Sequence, residues 1–174
     1  MPFWSSVSIP GKPRILIIDA SKNKSGWETE FCNRLFRSLQ RSNLQMCGSL
    51  PVESIPENVD AFSVLVLCER KPFAFWNQIK TDSRLSEKLF CFCCGNDYDV
   101  ESSQAMMESK IASVIVPESE MSAREAGLFY LKFFTELDLH STHEVNGKMI
   151  WFSFVKAKEL LKKRRYNAKF TVRC

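Results

Sequence analysis

The sequence predicts an α/β domain with three layers, a mostly parallel sheet carrying helices on both faces. Three observations predict it. Four short runs are almost wholly apolar, at residues 14–20, 59–67, 89–94 and 111–116, which is how strands buried on both faces read. Segments with helical apolar spacing separate the runs. Proline, glycine and polar clusters mark the joints. Strands alternating with helices imply right-handed crossovers and hence parallel neighbours.

Taken in order, residues 14–20 (RILIIDA) follow Gly11 and Pro13 and form the first strand. Residues 21–26 are a polar loop. Apolar residues then recur at Trp27, Phe31, Leu35, Phe36 and Leu39, one face of a helix over 27–40. Residues 44–50 form a short strand ended by Pro51, and 51–58 a loop with two prolines. The run at 59–67 (VDAFSVLVL) is a second buried strand, followed by a helix over 72–84. The run at 89–94 (LFCFCC) is a third, stopped by Gly95, with a helix over 100–110 after it. Residues 111–116 (IASVIV) are the fourth. A long amphipathic helix spans 122–139, with Ser122 as N-cap and Glu125 three residues on. A polar turn at 140–147 leads to a last helix over 148–166. We divide the chain into a domain over 1–139 and a C-terminal helix with basic tail over 140–174, packed on or extending from it.

Composition bounds the function. The 174 residues suffice for one domain with a sizeable core. Apolar residues make up 45% and charged residues 25%, ordinary globular usage that predicts no long disorder. The net charge of +4 is uneven: residues 156–174 hold eight Lys and Arg against Glu159 alone, so the rest is mildly acidic. Seven cysteines, an odd count, lie mostly in apolar runs. They read as buried thiols of a reducing compartment, with no disulfide framework. Residues 1–12 hold no apolar stretch suited to a signal peptide, and no run approaches the roughly 20 apolar residues that span a bilayer. The sequence therefore predicts a cytosolic or nuclear protein with no membrane partner.

In parallel sheets, chemistry belongs at the carboxyl ends of strands. A phosphate-binding loop places a glycine, four residues, a second glycine, then Lys and Ser or Thr. Bare backbone N–H groups meet the phosphates, the Lys neutralises charge and the hydroxyl binds magnesium. The loop here reads Ile18-Asp19-Ala20-Ser21-Lys22-Asn23-Lys24-Ser25. Lys24 and Ser25 fit; Ile18 and Asn23 fill both glycine positions, and Asp19 adds negative charge. After the third strand comes Gly95-Asn96-Asp97-Tyr98-Asp99. Small GTPases read guanine there with Asn-Lys-x-Asp. Asn96 and Asp99 fit that pattern, and Asp97 reverses the charge of the Lys.

On these loops, and on the order of strands and helices over residues 12–139, the chain resembles the small GTPases with their catalytic parts eroded. The segments at 59–67 and 71–80 (KPFAFWNQIK) are similar to the family's strand and aromatic-rich helix. Fewer than twenty residues separate the first helix from Val59, where a GTPase needs two strands, a helix and both switch loops. No Asp-x-x-Gly occurs, and no Gln is placed to orient water. Nothing is left to stabilise a phosphoryl transition state. Asn23, Lys24, Ser25, Asn96 and Asp99 are thus expected to be remnants of a degenerate pocket, with no cofactor, no metal and no catalysis. Ser49-Leu50-Pro51, the run Glu87-Lys88-Leu89-Phe90-Cys91-Phe92 and the shortened switch region resemble the centromere protein M family of small-GTPase-like inner-kinetochore subunits. That resemblance implies a structural subunit at the nuclear centromere, a monomer within a hetero-complex. Its partners would be the helical-repeat centromere protein I with the H and K subunits. The alternatives are a divergent nucleotide-binding GTPase and a flavodoxin-like signalling adaptor.

Other clusters weigh less. Cys91, Cys93 and Cys94 with His140 and His143 suggest zinc, yet structural zinc favours cysteine pairs on a turn, and here the cysteines lie in a buried run. Residues 11–22 faintly resemble the strand bearing the caspase nucleophile, with Ser21 in the Cys position and no His before it to act as base. Cys174 lies in no prenylation box. The last helix is richer. Trp151, Phe152 and Phe154 are candidates for a partner-binding patch. Lys162, Lys163, Arg164 and Arg165 could meet DNA phosphates or an acidic partner.

Overall fold

The computed structural model describes residues 8–19, 26–42, 46–50, 57–68, 87–93 and 113–173. In chain order these form β1 (Ser8–Pro10), β2 (Ile15–Asp19), α1 (Trp27–Arg41), β3 (Met46–Leu50) and a 3-10 turn (Glu57–Ala61). Then come β4 (Val64–Cys68), β5 (Leu89–Cys93), β6 (Ser113–Pro117), α2 (Ala123–His140), β7 (Glu144–Asn146), α3 (Gly147–Lys163) and β8 (Phe170–Arg173). The helices predicted over 72–84 and 100–110 lie outside the described residues.

Six strands make one sheet in the order β3-β2-β4-β5-β6-β8. The first five are parallel neighbours, and β8 closes the edge antiparallel to β6. The chain is therefore α/β with a mostly parallel sheet, as the alternation of elements predicts. Counted from β2, the parallel strands lie second, first, third, fourth, fifth, so the winding reverses between β2 and β4.

Every residue of β2, β4 and β6 is buried. The alternating pleat sends Ile15, Ile17, Val64, Val66, Leu89, Cys91 and Ile115 into the core that holds Phe31, Leu35 and Leu39 of α1 and Phe129, Tyr130 and Phe133 of α2. Leu16, Ile18, Leu65, Leu67, Phe90, Phe92, Val114 and Val116 point the opposite way and are equally dry, the burial of a sheet covered on both faces.

Local chemistry sets the helix ends. The Glu125 N–H donates to Ser122 Oγ at 3.1 Å, while Ser122 Oγ–H donates back to Glu125 Oε1 at 3.1 Å, a variant of the capping box the sequence predicts. The Trp27 indole N–H donates to the Met121 carbonyl at 2.9 Å and its ring stacks on Phe31, tying the start of α1 to the start of α2. The Tyr130 hydroxyl, fully buried, donates to the Phe92 carbonyl at 2.7 Å and fixes α2 against β5.

Three expectations need correction. The run 59–67 is not one strand: Val59 belongs to the 3-10 turn, and pairing starts at Val64. Asp60 and Ala61 are exposed between the buried Val59 and Phe62, so the first part of the run buries two anchors of a turn. The helix predicted over 148–166 ends at Lys163, because Arg165 turns left-handed. The basic tail beyond it contains β8. The sequence also gives no sign of the two-stranded ribbon β1–β7, which clips the N-terminal segment across the α2–α3 turn. There the Gly11 N–H donates to the His143 carbonyl at 2.7 Å, and Gly11 adopts φ +83°, a conformation glycine reaches without steric cost.

A groove between α3 and the edge strand

The last residues of β2 are buried. Ile18, the residue at the first glycine position of a phosphate loop, is fully buried and paired within the sheet, opposite Leu67 of β4. Its neighbour Asp19 is 5% exposed at the point where the winding reverses. The Thr29 hydroxyl, in the first turn of α1, donates to Asp19 Oδ2 at 2.8 Å. A carboxylate thus sits by the helix N-terminus, where a phosphate would otherwise be attracted. Asn23, Lys24, Ser25, Asn96 and Asp99 lie outside the described residues.

The groove is built by α3. Asn146 caps it, its Oδ1 accepting from the Met149 N–H at 3.1 Å. Ile150, Phe154, Ala157 and Leu161 recur with helical spacing and are buried. One position further round lie Trp151, Val155, Lys158 and Lys162, which face a cavity of about 660 Å³. The opposite wall comes from the chain's return to β8: Arg165, Tyr166, Asn167, Ala168, Lys169 and Phe170, with Glu118 after β6.

The return is made by a Schellman turn. The Tyr166 N–H donates to the Leu161 carbonyl at 3.0 Å and the Arg165 N–H to the Lys162 carbonyl at 3.1 Å. Glycine usually fills the left-handed position of this motif. Here it is Arg165, with φ +60°, and a side chain in that conformation costs about 1–2 kcal/mol. The Ala168 N–H then donates to Glu125 Oε2 at 3.0 Å, anchoring the return on the start of α2.

The floor is rigid because it is continuous with the core. Phe154 stacks on Trp151 at 6.0 Å and meets Phe129 edge-on at 5.8 Å. Phe129 in turn stacks on Phe170 with ring centroids 3.9 Å apart. The rim is charged. Lys158, Lys162, Arg165 and Lys169 face Glu118 and Glu159. Both carboxylates are engaged, Glu118 by the Thr171 hydroxyl and Glu159 by Lys156 at 3.8 Å. Among the described residues no carboxylate stands within ion-pair distance of the four cations. The Lys158 ammonium lies 5.4 Å from the centre of the Phe154 ring.

Of the residues singled out from sequence, Trp151, Phe154, Lys162 and Arg165 come together here. Phe152, 42% exposed, lies outside the groove, against His140 edge-on at 4.9 Å and under Lys156 at 5.4 Å. Lys163 and Arg164 are exposed and do not line it. Lys158, Tyr166, Lys169, Phe170 and Glu118 went unnoticed. Lys158 was legible as the residue one further turn along the Trp151–Val155 face; the others depend on where the Schellman turn sends the chain. The described residues contain no group of three or more His, Cys, Asp or Glu placed to hold a metal. Cys91 is wholly buried, and burial pushes its thiol pKa well up, the opposite of what a metal-binding thiolate needs. No helix of the described residues is long and apolar enough to cross a membrane. No protein-family model matches the chain, and no curated protein is significantly similar to it.

Proposed function

We propose that this chain is a non-catalytic interaction module that seats a partner protein in the groove between α3 and β8. The observation that carries the reading is the groove itself: an aromatic floor held by the core, under four cations that pair with no carboxylate among the described residues. Large aromatic and Arg side chains in a concave, preformed site are what binding hot spots are made of. At the carboxyl end of β2, the buried Ile18 and the carboxylate of Asp19 by the α1 N-terminus oppose a bound triphosphate. On this reading the domain is a small-GTPase-like fold without its switch regions. The single strand β3 between α1 and β4, among the described residues, agrees with the missing segment. Through the resemblance noted above, the partners are inner-kinetochore subunits, centromere protein I with H and K, and the site of action is the centromere.

Affinity purification of the full chain from dividing cells, read by mass spectrometry, tests this. Kinetochore subunits are expected with the wild-type chain and at least tenfold depleted with Trp151→Ala. Retention of all partners by that variant removes the groove from the proposal. Recovery of a different set of partners removes the centromere. In a parallel titration, micromolar binding of a fluorescent guanine nucleotide with magnesium, lost in Lys24→Ala, overturns the non-catalytic reading.

A further inference from the structure

We infer that the occupant of the α3–β8 groove is an acidic amphipathic helix, with Arg165 as the fork that grips its carboxylates. This rests on the reading of the groove as a protein-binding site and goes on to the chemistry of the partner.

Charge sets the sign. Lys158 and Lys162 line the α3 wall, Arg165 stands at the turn, and Lys169 lies on the returning wall. Glu118 accepts from the Thr171 hydroxyl and Glu159 pairs with Lys156, and the four cations outnumber these two acids of the lining. Desolvating four unpaired cations under a partner is favourable only if the partner brings carboxylates.

Spacing sets the shape. Lys158 and Lys162 stand four residues apart on α3, a rise of about 6 Å, and Arg165 lies past the helix end in the turn that leads to β8. Carboxylates at i and i+4 of a second helix repeat that rise. Trp151 and Tyr166, both half-buried, leave an apolar strip beside the cations for the helix's Leu or Phe anchors.

Arg165 supplies the independent observation. A left-handed position in a Schellman turn is glycine's, and this chain keeps a side chain there at a cost to the fold. The guanidinium that results is the one group on the rim able to take a carboxylate with two parallel N–H donors.

The test uses the purified full chain and a display library of 16-residue helices. Leu or Phe is fixed at i, i+3, i+4 and i+7, and the other positions vary among Glu, Gln and Lys. Recovered binders are expected to be rich in Glu. Their affinity should fall at least tenfold in Lys162→Glu and in Arg165→Gly, be partly kept in Arg165→Lys, and be unchanged in Phe152→Ala. Arg165→Gly is also expected to raise the unfolding midpoint, which separates loss of the fork from loss of the fold. A neutral or basic pool, no recovered helix, or binders indifferent to Lys162→Glu and Arg165→Gly overturns the inference. So does tighter binding of a 20-residue oligothymidine than of any helix. If Trp151→Ala still strips kinetochore partners in any of those cases, the interaction-module reading stands and only the partner's chemistry falls.

Discussion

The carboxyl end of β2 and the groove beside α3 are two helix-end sites built to opposite plans. At the first, the chain brings its own carboxylate, Asp19, to the start of α1 and ties it to Thr29. At the second, Lys162 and Arg165 gather at the end of α3 and meet no carboxylate of the described residues. Both arrangements suit the helix dipole, negative charge at an N-terminus and positive at a C-terminus. They differ in what remains to be bound. An end satisfied from within has little to offer a ligand, whereas an end with unpaired cations beside an aromatic strip still has contacts to make. On the proposed reading, the difference teaches that the binding surface of this α/β chain lies away from the strand ends, where such sheets usually bind, at the edge that α3 and β8 add.

The largest expected effect tests whether the groove floor is core. Phe129 is fully buried and meets Phe133, Phe154, Tyr130 and Phe170. Phe129→Ala should cost about 3–5 kcal/mol in urea unfolding and abolish binding at the groove. A loss below about 1 kcal/mol would mean that the floor is a separate, soft layer, and the contrast between the groove and the end of β2 would break.

Asp19 offers the sharper blow to the other half of the comparison. If its carboxylate is structural, Asp19→Ala loses a charge-assisted hydrogen bond and should destabilise by about 1.5–3 kcal/mol in the same assay. If the variant is more stable than the wild type, the carboxylate is being held against the fold for a ligand, as functional groups often are. The strand end would then be an open site after all.

The two regions also differ in how much the sequence disclosed. The capping pair Ser122 and Glu125, the buried strands and the face of α1 were legible because each depends on residues within one or two turns. Half of the groove was legible for the same reason: Trp151, Phe154 and Lys162 sit on one helix. Its other wall was not, since Tyr166 and Phe170 reach it only because Arg165 adopts a conformation its residue type disfavours. The strand β8 hides in a charged segment, and its pairing with β6 comes from tertiary context that no local period records. The misreading of residues 59–63 has a related cause. An apolar run reports burial, and a 3-10 turn with Val59 and Phe62 as anchors buries as well as a strand does. The strand-end loops that prompted the nucleotide reading, with Lys24 and Asp99, lie outside the described residues.

The smallest effect contrasts α3 with its neighbour. On α2, Glu136 stands between Lys132 at 2.8 Å and His140 at 3.3 Å, so this helix satisfies its cation internally, as α3 does not for Lys162. The hydrogen bond from Lys132, chiefly, holds the Glu136 carboxyl below its ordinary value of 4.5. A carboxyl whose folded pKa is depressed contributes stability above its unfolded pKa and loses it as the pH falls through the folded value. The pair is partly solvated, so screening leaves only about 0.3–0.5 kcal/mol. Glu136→Gln should therefore cost that much at pH 7 in low salt, and the gap to the wild type should close below the depressed pKa and in molar salt. Neutralising Lys162, as in Lys162→Gln, removes no ion pair and should instead leave the acid limb of the stability curve unchanged. Were Lys162→Gln to shift that limb as Glu136→Gln does, Lys162 would have an internal partner, and its place among the unpaired cations of the groove would be lost.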